Sequence, residues 1–325
     1  MASLNDISRH AGVSIATCSR VLNGSAHPVS AATRERVLRA AQELGYEPSA
    51  LARALATRSS RIVGVIVGDI VDPYFAEIAR GVEDVAARLG YLTMVCSADL
   101  RTSAELEHVK LLRDYKAAGI VFAGSGRAGD PSTTALAAAV AGAREGGTIV
   151  LALAQRDFDA PSIVFDNEAA AYDITAYVRS LGHARIAFVE GPPDLHTSTQ
   201  RLAGFRRAGG EDRVPGGFSY EDGVAAADRL LARDRLPDAV VAANDDAAIG
   251  VLMRLREAGV DVPGQVSVAG IDDTRPARFV ALTTVTAPLH EMGRLAAQAI
   301  LAEDGGGAET VLEHRLAPRA TTAPR

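Results

Sequence analysis

Cysteine, lysine and long apolar runs are all scarce in this sequence. Cys18 and Cys96 are its only cysteines and fall in different expected domains, so no disulfide framework is expected. A reducing, cytoplasmic setting fits that usage. No uninterrupted apolar stretch approaches the roughly 18 residues of a membrane-spanning helix, so no membrane partner is expected. The opening MASLNDISRHAG lacks a charged segment followed by an apolar core, and so does not read as a secretory signal. Lys110 and Lys116 are the only lysines, and arginine carries nearly all the positive charge. There is no G-x-S-x-G elbow, no H-E-x-x-H and no Cys/His metal spacing, and the seven histidines are scattered. Neither an enzyme nor a metal or cofactor protein is the expected class.

What is present is a globular composition, 48% hydrophobic over 325 residues, enough for two or three domains. The net charge of −6 is uneven. Residues 1–60 hold seven arginines and four acids, leaving a +3 head on a −9 body. A small basic head on an acidic body suggests a polyanion partner for the head alone.

The head reads as three short helices. Ser3 can cap the first, with Asp6 completing a capping box, and Ile7 and Ala11 face inward. Gly12-Val13-Ser14 breaks it. Ser14 can cap a second helix from Ile15 to about Asn23, with Cys18, Val21 and Leu22 buried. After Pro28, Ser30 can cap a third, whose apolar stripe is Val37, Ala40, Ala41 and Leu44. A tight turn containing glycine between the first two helices is the helix-turn-helix pattern. The outer face of the second helix carries Ile15, Ala16, Thr17, Ser19 and Arg20. Short residues allow close approach to a major groove, and an arginine can take guanine O6 and N7 together. The plain alternative is a small helical bundle with an ordinary solvated face.

Beyond the head, "PSALARALATRSSR" (48–61) has the composition of a helix but is too short to hold one alone in water. The remainder alternates strand-like apolar runs with helix-period segments. "RIVGVIVGDI" (61–70) reads as a buried parallel strand, and further strands are expected at 92–97, 119–124, 148–154, 162–166, 185–190, 239–243 and 267–271. That alternation argues a doubly wound α/β body.

Several segments resemble the lactose/galactose repressor family of bacterial transcription regulators. They are "LNDISRHAGVSIATCSRVLNG", "VSAATRERVLRAAQELGYEPSALARAL", "DPYFAEIARGVEDVAARLGY", "LGHARIAFVEGP", "RLAGF", "AANDDAAIG", "VPGQVSVAGIDD" and "ARFVALTTV". Together they span nearly the whole chain in the family's order. The resemblance implies a DNA-binding head at 1–46 and a hinge helix and linker at 47–60. It implies two α/β subdomains like periplasmic sugar-binding proteins, 61–161 with 290–318 and 162–289 with 319–325, with crossovers near 161, 289 and 318. It also implies a homodimer on near-palindromic double-stranded operator DNA, and a small-molecule effector in the cleft. Ile15, Ala16 and Arg20 would read bases. Ser14, Thr17, Ser19, Asn23 and Ser30 would join them in contacting phosphates and bases. Ala52 would lie on the DNA-contacting hinge helix, and Leu55 would wedge into the minor groove. Cys18 stands where the family usually has valine, and Ala56 where many members have a basic residue.

For the effector, open α/β sheets bind ligands at strand ends. By resemblance Arg201, Asn244 and Asp272 hold sugar hydroxyls, and their donors and acceptors suit a vicinal diol. Tyr74 and Phe75 match an aromatic position that can stack on a ring, and Thr197 and Asp166 are further candidates. Asp272 also suits a local turn or N-cap. Leu195 stands where purine-sensing relatives carry arginine, which argues against a purine effector. The segment 209–218 is shorter than the family's, so an edge of the second subdomain is expected to be reduced. Gly124, Gly126 and Gly129 form G-x-G-x-x-G after a strand, the context of a dinucleotide site. Here it reads as a small-residue loop near the cleft. The expected function is therefore a regulator, most simply a repressor, controlled by a sugar or sugar derivative. An NAD enzyme and an extracytoplasmic sugar-binding protein are the alternatives, and neither explains residues 1–60.

Overall fold

The computed structural model describes residues 2–22, 27–46, 60–302 and 309–325. The chain forms two compact units, 1–60 and 61–325.

In the first unit, α1 (Leu4–Ala11) begins at Ser3, whose hydroxyl accepts from Asp6 N while the Asp6 carboxylate accepts from Ser3 N. This reciprocal cap satisfies donors that a free helix end leaves open. Gly12 closes the helix in the left-handed region at φ 62°, where glycine carries no Cβ penalty. α2 (Ile15–Leu22) starts one turn later, with Ser14 Oγ accepting from Thr17 N at 3.2 Å. α3 (Ala31–Glu43) is capped by Ser30 through Thr33 N. Ile7, Ala11, Cys18, Val21, Val37, Ala40 and Ala41 meet in one small core. His10 and Glu43, 2.7 Å apart, tie α1 to α3. Asn23 and the junction 47–59, which includes Ala52 and Leu55, lie outside the described residues.

The second unit is built on two parallel sheets. Its first sheet contains β1 (Ile62–Val67), β2 (Leu92–Ser97), β3 (Gly119–Phe122), β4 (Ile149–Ala152), β5 (Ser162–Phe165) and β11 (Glu309–Leu312). Among the described residues their order is β11-β5-β4-β3-β1-β2. β1 is a run of six apolar or glycine residues, nearly all buried, because helices cover both faces of the sheet. α4 (Pro73–Ala86), α5 (Thr102–Asp114), α6 (Thr133–Glu145) and α12 (Leu289–Leu301) belong to this half. α4 and α12 cross so closely that a Cβ at Gly81 would sit 2.1 Å from His290 O, and one at Gly293 2.1 Å from Ile78 O.

The other sheet has the order β7-β6-β8-β9, from β6 (Ile186–Val189), β7 (Asp212–Val214), β8 (Ala239–Ala242) and β9 (Ser267–Ala269). With it pack α7 (Asn167–Ser180), α8 (His196–Arg207), α9 (Tyr220–Leu231), α10 (Asp245–Glu257) and the short α11 (Arg275–Phe279). β10 (Thr284–Thr286) and β12 (Arg315–Ala317) form a separate antiparallel pair.

Two expectations shift. The strand at 162–165, expected to open the second subdomain, pairs with β4 and β11 in the first sheet. The first crossover therefore follows Phe165. The short segment 209–218 still supplies an edge strand, since β7 pairs in parallel with β6.

Candidate functional site

Two surfaces carry the predicted residues. On the head, α2 turns Cys18 and Val21 into the core, which leaves its other face outward. Ile15 is 48% exposed, Ala16 and Arg20 are exposed, and Thr17 and Ser19 are half-buried. Arg20 forms no ion pair among the described residues. Ser14 and Ser30 both cap helix N-termini, which brings them beside backbone N–H groups at the positive ends of the helix dipoles. The Cys18 thiol is fully buried, and burial raises its pKa, so this thiol fills space in the core.

In the body, a partly open cavity lies between the two sheets. The first half lines it with Asp72, Tyr74, Phe75 and Ser125, the second with Leu195, Thr197, Arg201, Phe218, Asn244 and Asp272, among others. Six of the seven predicted effector residues are thus brought together. Asp166 is not among them. It caps α7, accepting from Ala169 N at 2.8 Å, and lines a neighbouring depression with Gln155 and Gln200.

Arg201, on α8 and 2% exposed, organises the floor. Its Nε donates to Asn167 Oδ1 at 2.9 Å, Nη1 to Ala243 O at 2.5 Å, and Nη2 to Asp272 Oδ1 at 2.7 Å. A guanidinium suits this task because its donors form a rigid planar fork. Asn244 caps α10, accepting from Ala247 N at 3.1 Å and donating Nδ2 to Phe218 O at 2.8 Å. Asp272 is held at φ 127°, which a non-glycine residue rarely adopts. Its N–H donates to Val285 O and its own carbonyl accepts from Ala287 N. Asp272 does not cap a helix.

Burial pushes the Asp272 carboxyl up to about 8 in spite of Arg201, and that of Asp72 up to about 7. Burial likewise raises the Tyr74 hydroxyl. Asp245 is fully buried and takes Thr284 Oγ1, Thr274 N and Thr274 Oγ1, which holds it near 6 against burial. Asp273 turns away from the cavity to Arg319, Arg278 and Thr286.

The glycine loop after β3 ties the halves together. Ala128 N donates to Asp194 O at 2.8 Å, His196 N to Gly126 O at 3.1 Å, and Thr197 N to Ser125 Oγ at 3.1 Å. His196 Nε2 lies 2.9 Å from both Asp157 oxygens. A Cβ at Gly126 would meet Asp157 Oδ2 at 3.0 Å and His196 Cδ2 at 3.1 Å. α6 begins only at Thr133, so Gly124–Gly129 does not open a helix, and the dinucleotide pattern lacks the N-terminus that would face a pyrophosphate. His183, by contrast, is buried against Ala323 O in the sheet's packing.

Sequence reasoning missed Asp72 and Phe218. Asp72 reads as the N-cap before Pro73, which it is, accepting from Tyr74 N at 2.8 Å. Its strand-end position after β1 was the available signal. Phe218 lies at the end of the shortened segment, where the family's pattern gives no matching position.

A helix-turn-helix head joined to an α/β body with a polar cleft defines a DNA-binding protein with a ligand-binding domain. The comparisons with known proteins agree with that class. The model of bacterial regulatory proteins of the lacI family matches residues 3–49, and that of the periplasmic binding protein-like domain matches 175–324. Catabolite control protein A of Priestia megaterium is 33% identical over 308 residues, 90% of each chain. The lac repressor dimer bound to operator and the anti-inducer ONPF superposes with a TM-score of 0.81 at 25% identity, covering 99% of both chains. The complex of the transcriptional regulator CelR with cellobiose gives a TM-score of 0.69 at 29% identity, covering 99% of this chain and 100% of that one. The chain belongs to the lacI family of transcriptional regulators. Among the described residues, no helix is long and apolar enough to cross a membrane.

Proposed function

We propose that this regulator is a cytoplasmic homodimeric repressor whose operator affinity is set by a sugar or sugar derivative bound in the cleft. The observation that carries the effector reading is the buried Arg201–Asp272 pair, set beside Asn244 under an apolar wall of Tyr74, Phe75, Leu195 and Phe218. Directional donors and acceptors under an aromatic wall suit a polyhydroxylated ring with one apolar face. Leu195 offers no charge to a purine. The CelR structure, with cellobiose bound, supports a carbohydrate in this fold.

In this reading residues 1–46 enter the major groove through α2, with Ile15, Ala16 and Arg20 on base edges. Ser14, Thr17, Ser19, Asn23 and Ser30 add backbone and base contacts. Residues 47–60 form the link, and Leu55 wedges the central step while Ala52 faces the groove beside it. A ligand touching both walls of the cleft favours one relative arrangement of the halves, and differential affinity for the two arrangements couples effector to operator. A thermal-shift screen of sugars, sugar phosphates and nucleosides tests the effector class. Stabilisation by a sugar in the wild type, lost in Asn244→Ala, is the expected result; stabilisation by nucleosides alone contradicts it. Hydrogen exchange over 48–58 tests the link: protection is expected only with operator present.

A further inference from the structure

The cleft sets two carboxyl groups, Asp72 and Asp272, against a single guanidinium. Among the described residues, Arg201 is the only basic one lining the cleft, and its Nη2 is paired with Asp272. The other three contacts of that guanidinium's surroundings are neutral: Asn167, the Ala243 carbonyl and the Phe165 ring. Asp72 has no such partner. It enters from the first half at the end of α4, and only its Oδ1 is bonded, to Tyr74 N. Among the described residues nothing donates to Asp72 Oδ2 or to Asp272 Oδ2. Asp246 on α10, with Glu221 near it, and Asp69 on the Asp72 side add further negative charge, and burial with these neighbours holds Asp72 against ionisation. A carboxylate placed this way in an apolar-walled cavity is costly unless a proton or a cation meets it.

The rest of the lining refines the picture. Tyr74, Phe75 and Phe218 supply aromatic surface and Leu100 and Leu195 aliphatic surface, while Thr197 and Asn244 retain hydroxyl and amide donors. An ammonium has three N–H donors and is drawn to both carboxylates and aromatic faces. A neutral hydroxyl has one.

From this geometry we infer that Asp72 selects an effector bearing a cationic amino group on a polyol frame, an amino sugar in class, with the ammonium against Asp72 and Asp272 and the hydroxyls toward Thr197 and Asn244. The inference rests on the sugar reading above and narrows it.

The test is calorimetric titration of the full-length protein at about pH 7.5 with matched pairs: 6-amino-6-deoxy and 2-amino-2-deoxy hexoses against the parent glucose, galactose and mannose. Asp72→Asn is the informative variant, because asparagine keeps the capping oxygen and removes the charge. In the wild type at least one amine should bind about tenfold or more tightly than its parent, a difference of about 1.4 kcal/mol. Asp72→Asn should erase that preference. Asp72→Ser, a second capping residue, should behave the same way. A parent hexose that binds as tightly as its amine overturns the inference, as does a preference that survives in both variants. Binding of a neutral hexose that weakens as pH rises would mean that a proton meets Asp72, and also overturns it. Silence of every pair overturns it too. The broader reading is tested separately: parent hexoses that bind and lose affinity in Asn244→Ala leave the sugar-controlled regulator standing without the amine.

Discussion

Removing Arg201 isolates the interaction on which the cleft depends. Arg201→Met keeps much of the apolar stem and deletes three hydrogen bonds, including the 2.7 Å contact to Asp272, with both side chains 2–3% exposed. Breaking a buried ion pair from one side costs about 3–5 kcal/mol, because the remaining charge is stranded. That cost depends on whether Asp272 is ionised. Its carboxyl titrates near 8, so it is charged at about pH 9 and neutral at about pH 5.5. At the lower pH the loss should shrink to about 1–3 kcal/mol, the cost of leaving the Ala243 carbonyl and Asn167 short of donors. Adding Asp272→Asn to Arg201→Met should recover at least about 1 kcal/mol at the higher pH and little at the lower. Urea unfolding of the wild type, both single variants and the double variant at the two pH values gives all these differences. Equal losses at both pH values, with additive single effects, would refute the claim that Asp272 and Arg201 act as a buried charge pair.

Three further outcomes follow from the same structure. Arg20→Ala should cost about 1–3 kcal/mol on an operator recovered by in vitro selection, with relaxed preference at one base pair per half-site and little change on random DNA; equal losses on both, read by fluorescence anisotropy, would reduce Arg20 to a phosphate contact. The ligand-free protein should lose thermal stability as pH rises from about 4 to about 8, because Asp245, Asp72 and Asp272 titrate near 6, 7 and 8 when folded and near 3.8 when unfolded, so the folded state holds the extra protons; Asp72→Asn should flatten part of that fall, and a Tm that climbs across the window would contradict the assignment. Gly81→Ala places a Cβ 2.1 Å from a backbone carbonyl of α12, so α4 and α12 must move apart, and the urea midpoint should fall by the equivalent of about 2 kcal/mol or more; an unchanged midpoint would show that the helices yield freely.

The head was legible nearly residue by residue, since its signals are local. Ser3 with Asp6, Gly12, Ser14 and Ser30 are capping residues at fixed offsets, and the helices begin where they indicate. The long buried strands were legible too, because a run such as Ile62–Val67 has one reading when both faces are covered. What escaped was short or depended on distant pairing. β7, β10 and β12 are three residues each, too short for any period to show. β5 was found as a strand but given to the wrong sheet, because only its pairing with β11, far along the chain, places it. In the cleft, Arg201, Asn244 and Asp272 were found through family resemblance, whereas Asp166 was drawn off by its capping role. Asp72 was hidden by the same chemistry in reverse, a cap that also faces the cavity. The glycine pattern was read as a small-residue loop near the cleft, and it is one; sequence spacing did not reveal what that loop packs against, the His196–Asp157 pair.

The coupling of cleft to operator is tested most directly by one titration. A fluorescent operator is bound by the full-length protein with and without a saturating sugar identified by thermal shift, in the wild type and in Asp272→Asn. The ligand should change the wild-type operator Kd by about tenfold or more, a coupling of about 1.4 kcal/mol, and leave that of the variant nearly unchanged. A wild-type Kd that stays the same at saturating ligand would contradict it.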